Sequence, residues 1–299
     1  MKVDMEVLRK FEERLNPAKP ENIKILGYGE ISTVFELPEY PGIAFKRIPM
    51  FKSVEQVEKY IQTYYEYIEL LSSAGLKIPE SGAEYVVTED GRIVLFIMQE
   101  KLEQICNKII QKTEIDKAVR LFERIMDEMR KIWNFNEEKK EEGVQIGLDG
   151  QISNWAIVGE DIYYFDTSTP MIRKNGIDQL DTDIFLRACP PGRRIFLKKF
   201  FLQDILDRYY DFRKVVVDLI ANLYKEERDD LISPFIKVAN EFFASYSFEP
   251  ITEKEIEKYY KEDAFIWSLY LNLRRIHRFI VTKILFSRYE FILPGKIKR

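Results

Sequence analysis

The sequence predicts an α+β fold in two parts: a small antiparallel-sheet lobe over residues 1–99 and a larger, mainly helical lobe over residues 100–299. Three observations carry that expectation. Between residues 23 and 98, short β-branched and aromatic runs alternate with glycine and proline turns. A single stretch among them, residues 53–74, places its apolar side chains at helical steps instead. Beyond Gln99 the pattern is helical almost throughout.

Taken in order, residues 2–15 read as a helix closed by Asn16, Pro17 and Pro20. Residues 23–26, 33–37 and 43–48 read as strands, with Gly27, Gly29, Pro38, Pro41 and Gly42 as the turns between them. In residues 53–74 the apolar positions are Val54, Val57, Ile61, Tyr64, Ile68 and Leu71; Ser53 can cap the start and Gly75 ends the helix. Strands at 85–88 and 93–98 follow, joined by a hairpin turn at Glu89, Asp90 and Gly91. Helices are predicted at 103–112 and 114–133, and the polar run 136–142 as an exposed connection. Gly147, Gly150 and Gly159 interrupt the helical pattern, and residues 162–165 form a strand. Residues 180–289 are expected to be helical and are rich in Phe and Tyr.

Composition narrows the function. The chain has 299 residues, 46% of them hydrophobic, enough for a sizeable core. Its net charge of -4 gives no global attraction to nucleic acid. Cys106 and Cys189 are the only cysteines, so a disulfide framework is not expected and a reducing cytoplasm is the natural compartment. No run of 18 apolar residues occurs, which argues against a membrane span, and the charged N-terminus does not read as a signal peptide. His277 is the sole histidine, which excludes HExxH metal sites, and no G-x-S-x-G elbow is present. Acid–base chemistry must fall to carboxylates, lysines or tyrosines.

Four features in one order carry the chemistry. Gly27 and Gly29, followed by Ser32 and Val34, lie between two predicted strands, where glycines let backbone amides approach phosphates. Lys46 follows on the next strand, after the apolar Ala44 and Phe45; in such a strand it requires an anionic partner such as a phosphate or a helix carboxylate. Asp149 and Asn154 sit five residues apart in a loop, where a carboxylate can accept the proton of an attacking hydroxyl and an amide oxygen can ligate magnesium. Asp166 follows a strand 12 residues after Asn154, and a hairpin of that length brings the two oxygens to one cavity, which suits magnesium.

This arrangement resembles the protein-kinase-like superfamily, most closely its aminoglycoside phosphotransferase and choline kinase branch. Gly27-x-Gly29-x-x-Ser32-x-Val34 is similar to the glycine-rich loop, and Ala44, Phe45 and Lys46 to the strand of the phosphate-contacting lysine. Residues 70–79 look like the small-lobe helix exit of small-molecule kinases, and the likeness spans roughly residues 23–190. The resemblance implies a two-lobed kinase-like fold, with ATP and Mg²⁺ as cofactors and a small-molecule hydroxyl as acceptor. It casts Asp149 as catalytic base and Asn154 and Asp166 as metal ligands. Met98, Gln99, Glu100 and Lys101 become an adenine-binding hinge. Glu66 is chosen as the partner of Lys46, with Glu58 and Glu69 as alternatives. Gly147 stands where such families carry histidine or tyrosine, and Thr167 where an aromatic or aliphatic residue is usual. Those two departures motivate a second reading, a nucleotide-binding pseudokinase without transferase activity.

Three weaker signals have plain explanations. Residues 274–299 hold eight Lys/Arg and one acid, a pattern read as the charged outer face of a terminal helix before RNA, a membrane surface or an anionic substrate is invoked. Phe196, Phe200, Phe201, Tyr209, Tyr210 and Phe212 read as core before a base-stacking platform. Asp181, Asp183 and Asp204 read as surface acids before a site for a cationic amine.

Overall fold

The computed structural model describes residues 1–21, 23–28, 32–187, 203–246 and 248–293. Its architecture is α+β with antiparallel sheets. Helix α1 (Met5–Arg14) starts at Asp4, whose side chain accepts the Glu6 amide. Strands β1 (Lys24–Tyr28), β2 (Thr33–Glu36), β3 (Ile43–Phe51), β4 (Ser81–Val87) and β5 (Ile93–Glu100) make one sheet in the order β1-β2-β3-β5-β4. Helix α2 (Val54–Ser73) crosses between β3 and β4. Ser53 caps it by accepting the Gln56 amide at 3.2 Å, and Gly75 at φ 92 turns the chain out of it.

The central strand β5 shows why the sheet holds together. Ile93 to Met98 are all buried, and they divide by parity. Ile93, Leu95 and Ile97 pack with Val57, Tyr60 and Tyr64 of α2, whereas Val94, Phe96 and Met98 pack with Leu8 of α1. A strand covered on both faces is apolar at every position, and side chains of period two supply two separate cores.

The larger core lies among helices. It is built on α4 (Ile115–Glu138), α7 (Phe212–Ala221) and α8 (Ile232–Phe243), with Phe122 stacked on Phe235 at 4.2 Å and Trp133 on Phe212 at 4.3 Å. Around it run α3 (Cys106–Ile110), α5 (Asp183–Leu186), α6 (Gln203–Arg208) and α9 (Glu253–Phe279). Two small sheets are inserted. One joins β6 (Gln104–Ile105), β8 (Trp155–Val158) and β9 (Asp161–Tyr164); the other joins β7 (Val144–Ile146), β10 (Ile172–Lys174) and β11 (Ile177–Asp178).

Several elements differ from expectation. The polar run 136–142 is not simply an exposed connection, because α4 continues to Glu138 and Asn136 is buried. Its amide donates to the Ile146 carbonyl at 2.9 Å and accepts the Ile146 amide at 2.8 Å, so it holds the edge of β7. The helix expected at 103–112 begins as strand β6, paired with β8. Continuous helix to residue 289 is broken as well: α9 ends in a π turn (Ile280–Ile284), and Tyr289 and Phe291 return to pack beside α2. Tyr210 and Phe212 are core residues, as expected, while Cys189, Phe196, Phe200 and Phe201 lie outside the described residues. Among the described residues no helix is long and apolar enough to cross a membrane.

Candidate functional site

A cleft of about 360 Å³ lies between the β1–β2 hairpin, the loops 149–154 and 166–171, and helices α6, α7 and α9. Five of the residues singled out from the sequence line it: Ser32, Lys46, Asp149, Asn154 and Asp166. Lys46 extends from β3, where it faces Val34 on one side and Ile97 on the other. Its Nζ donates to Asp166 Oδ1 at 2.8 Å and also to the Ser168 hydroxyl. An ammonium flanked by apolar strand residues thus finds its anion in a loop 120 positions later in the chain.

Local backbone chemistry places the two acidic loops. Asp149 Oδ1 accepts the Gln151 amide at 3.1 Å, an Asx turn that starts the short 3₁₀ segment Ile152–Asn154. Asn154 donates its side-chain amide to the Asp149 carbonyl at 3.2 Å, and its own carbonyl accepts the Phe165 amide at 3.1 Å. That last bond closes the β8–β9 hairpin and sets Asn154 beside the Asp166 loop. Two glycines flank Leu148 and Asp149 for steric reasons. A Cβ on Gly150 would lie 2.5 Å from Val215 and 2.7 Å from Met129, and one on Gly147 would crowd the Tyr209 carbonyl at 3.1 Å. Gly147 therefore answers to packing against residues 209–210, which explains why no larger side chain stands there.

The expected Lys46–Glu66 pair does not form. Glu66 is ion-paired with Lys174 of β10 at 2.5 Å, and Glu58 accepts a hydrogen bond from Tyr85 at 3.2 Å. Glu69 is exposed. The reason is helical phase: α2 turns Val57, Tyr60, Tyr64, Tyr67 and Leu71 inward, and its carboxylates fall on other faces. Tyrosines take over the contact with the loops. Tyr60 donates to the Ser168 carbonyl at 2.6 Å, and Tyr67 to the Gly147 carbonyl at 2.7 Å. Burial raises the pKa of both phenols, with Asp166 adding to the shift, so they remain donors.

Gln99 and Lys101 do not line the cleft. Gln99 lies inside the sheet between Ala44 and Ser81, and its side chain donates to the buried Thr167 hydroxyl at 3.0 Å. The Lys101 amide is bonded to the Gly42 carbonyl at 2.9 Å, and its ammonium faces Glu36 and Glu103. The donor expected to meet adenine at Lys101 is thus already paired within the sheet edge. Gly27 sits in β1 past a bulge, opposite Val34, and a Cβ there would meet nothing within 4 Å. Nothing among the described residues requires glycine at that position. Gly29 lies outside the described residues.

The far end of the cleft is made by residues that sequence patterns did not single out. Asp218 of α7 is buried; Oδ1 accepts from Tyr259 at 2.9 Å, while Oδ2 has no hydrogen-bond partner among the described residues. Burial raises its pKa, Lys225 opposes that rise, and Asp263 reinforces it. Lys225 pairs with Asp263 at 3.1 Å, and Tyr259 also accepts from Arg208 at 3.2 Å. A signal for Asp218 did exist: it is the one charged residue between Val215 and Ala221, where an unpaired acid would be costly. Asp181, Asp183 and Asp204 do not line the cleft, and Asp181 accepts from Gln56 at 2.7 Å.

No curated protein matches the chain. A family profile described as a family of unknown function (DUF6206) matches residues 8–278, a span that includes the sheet, both acidic loops and most of α9. The chain belongs to the DUF6206 family.

Proposed function

We propose that this cleft transfers a phosphoryl group from ATP, with Mg²⁺, to a hydroxyl of a small molecule, and that the five-stranded sheet and the helical part act as the two lobes of a kinase-like fold. The observation that carries the reading is the meeting of Lys46 and Asp166 at 2.8 Å in the same cleft as Asp149 and Asn154. Among the described residues no group of three or more His, Cys, Asp or Glu is gathered for a metal. Asn154 and Asp166 would give magnesium two protein oxygens, with phosphates and water completing its shell, which is how this ion is commonly bound. Bound there, magnesium supplies charge neutralisation along the phosphate chain.

The chain's own residues have distinct tasks in this scheme. Lys46 leaves Asp166 for the phosphates and orients them. Asp149 accepts the proton of the acceptor hydroxyl while that oxygen bonds to phosphorus; the bond to the bridging oxygen breaks, and its electron pair departs with the nucleoside diphosphate. Asp166→Ala is expected to remove most of the magnesium-dependent gain in ATP affinity. Asp149→Ala is expected to leave ATP binding nearly intact and to lower turnover by about 10²-fold or more, the scale for loss of a positioned base. Titrations with and without Mg²⁺, beside a phosphate-transfer screen over hydroxyl compounds, separate the two. Equal loss of ATP affinity in both variants would refute the division of roles.

A second reading, a nucleotide-binding pseudokinase, is favoured by one feature: α2 offers Lys46 no carboxylate, and Lys46 is held by Asp166 and Ser168 instead. ATP binding that depends on Asp166, with no transfer to any acceptor, would select it.

A further inference from the structure

The end of α9 and the turn after it form a surface that the cleft does not use. Between Asp263 and Glu290 the sequence holds Arg274, Arg275, Arg278, Lys283 and Arg288 and not one carboxylate. The two bounding acids are engaged elsewhere, Asp263 with Lys225 and Glu290 with Arg47, Arg92 and Arg288. Arg275 and Lys283 are exposed, and Arg278 is partly so. The same stretch exposes large apolar side chains: Phe279 by 60%, Ile284 by 58%, Leu285 by 61% and Phe286 by 87%. Scattered exposed apolar residues are ordinary, but four within eight positions make a patch that water disfavours.

The patch sits on a turn of unusual backbone. The helix passes into the π turn Ile280–Ile284, closed by the Leu285 amide on the Ile280 carbonyl at 3.0 Å and the Ser287 amide on the Val281 carbonyl at 2.8 Å. Phe286 then adopts φ 50, a left-handed conformation that a bulky residue rarely takes. Its ring is almost fully in solvent, so packing within the chain does not offset that strain.

We propose that this tip docks on an anionic phospholipid bilayer, with Phe279, Ile284, Leu285 and Phe286 entering the acyl boundary and Arg275, Arg278 and Lys283 meeting headgroup phosphates. Charge complementarity selects the occupant. A second copy would bring a tip of the same positive sign, and its repulsion would oppose pairing. An exposed turn needs no preformed groove in a fluid surface, and apolar burial combined with cation–phosphate attraction is the usual basis of interfacial binding. The chain's overall charge of -4 does not conflict with this, since attraction acts within about a Debye length of the patch. The proposal stands independently of the phosphotransferase reading.

Flotation of the full chain with phosphatidylcholine vesicles, and with phosphatidylcholine–phosphatidylserine vesicles, tests it. Binding is expected only to the anionic vesicles and is expected to weaken as salt rises. Leu285→Ser with Phe286→Ser, and separately Arg275→Glu with Lys283→Glu, are each expected to lower the partition coefficient by about tenfold or more. These side chains are exposed, so the melting temperature of both variants should equal that of the wild type and serves as the folding control. Absence of binding to anionic vesicles, or binding unchanged in both variants, overturns the proposal. A concentration-dependent dimer that dissolves with Phe286→Ser, without vesicle binding, overturns it in favour of a second copy.

Discussion

Lys46 and Asp166 are separated by 120 positions of sequence, yet the cation and the carboxylate share a hydrogen bond of 2.8 Å. If the cleft takes ATP with Mg²⁺ as proposed, the nucleotide is expected to raise the melting temperature and Lys46→Ala to abolish most of that gain, because a ligand that binds only the folded chain stabilises it more the tighter it binds. Should the variant respond to nucleotide as the wild type does, the lysine has only a structural task. Asp218 sets a second test at this scale. Burial holds its carboxyl above the ordinary aspartate value of 3.8, so the folded chain binds that proton more tightly than the unfolded chain. Its stabilising contribution is therefore complete below 3.8 and is lost as pH rises through the higher folded value. Asp218→Asn is expected to raise stability at neutral pH, because it removes the buried charge while keeping the side chain's shape, and to change little in acid. Urea unfolding at the two pH values reads the difference; a variant less stable at neutral pH would mean that Lys225 outweighs burial.

At the scale of elements, α2 both completes the sheet and steadies the cleft. Its start and end were legible, because Ser53 and Gly75 are local signals that need no partner. Its task was not legible: helical periodicity identifies an inward face but does not say which loops that face will meet. Tyr67 reaches the Gly147 carbonyl, two positions before Asp149. Tyr67→Phe is expected to cost about 1 kcal/mol of stability and, under the proposed phosphotransferase function, to lower turnover while leaving ATP affinity nearly unchanged. An equal loss of both would mean that α2 also positions the nucleotide. Gly150 tests the opposite partner, α7. Adding a methyl group 2.5 Å from Val215 is expected to destabilise the fold by about 1–3 kcal/mol, as overpacking does, and chemical denaturation of Gly150→Ala measures it.

Across the whole molecule, one buried charge network ties distant segments together. Glu12 of α1 is fully buried and receives Arg47 of β3 through bonds of 2.6 and 2.7 Å. Arg92 and Arg288 also reach Glu12, and Glu290 pairs with Arg47, Arg92 and Arg288. The network joins the first helix, the sheet and the segment that follows α9. Removing Glu12 leaves the buried Arg47 guanidinium with Glu290 as its one remaining ion-pair partner among the described residues, so Glu12→Ala is expected to cost about 3–5 kcal/mol in urea unfolding. A loss below about 1 kcal/mol would mean that water enters and solvates the arginines.

By itself the sequence determined the alternation of strands and helix up to Gln99, the ends of α2 and the β8–β9 hairpin that sets Asn154 beside the Asp166 loop. Those features follow from periodicity, caps and turn residues within a few positions of one another. Only the tertiary structure decided the strands β6, β7, β10 and β11, which have two or three residues each and owe their form to pairing across the chain. It also decided the partner of Lys46, the burial of Glu12 and Asp218, and the exposure of Phe286. Each of these depends on which groups approach from distant segments, and the cost of desolvating a charge, or of exposing an aromatic ring, is fixed by that company and not by the residue's neighbours in sequence.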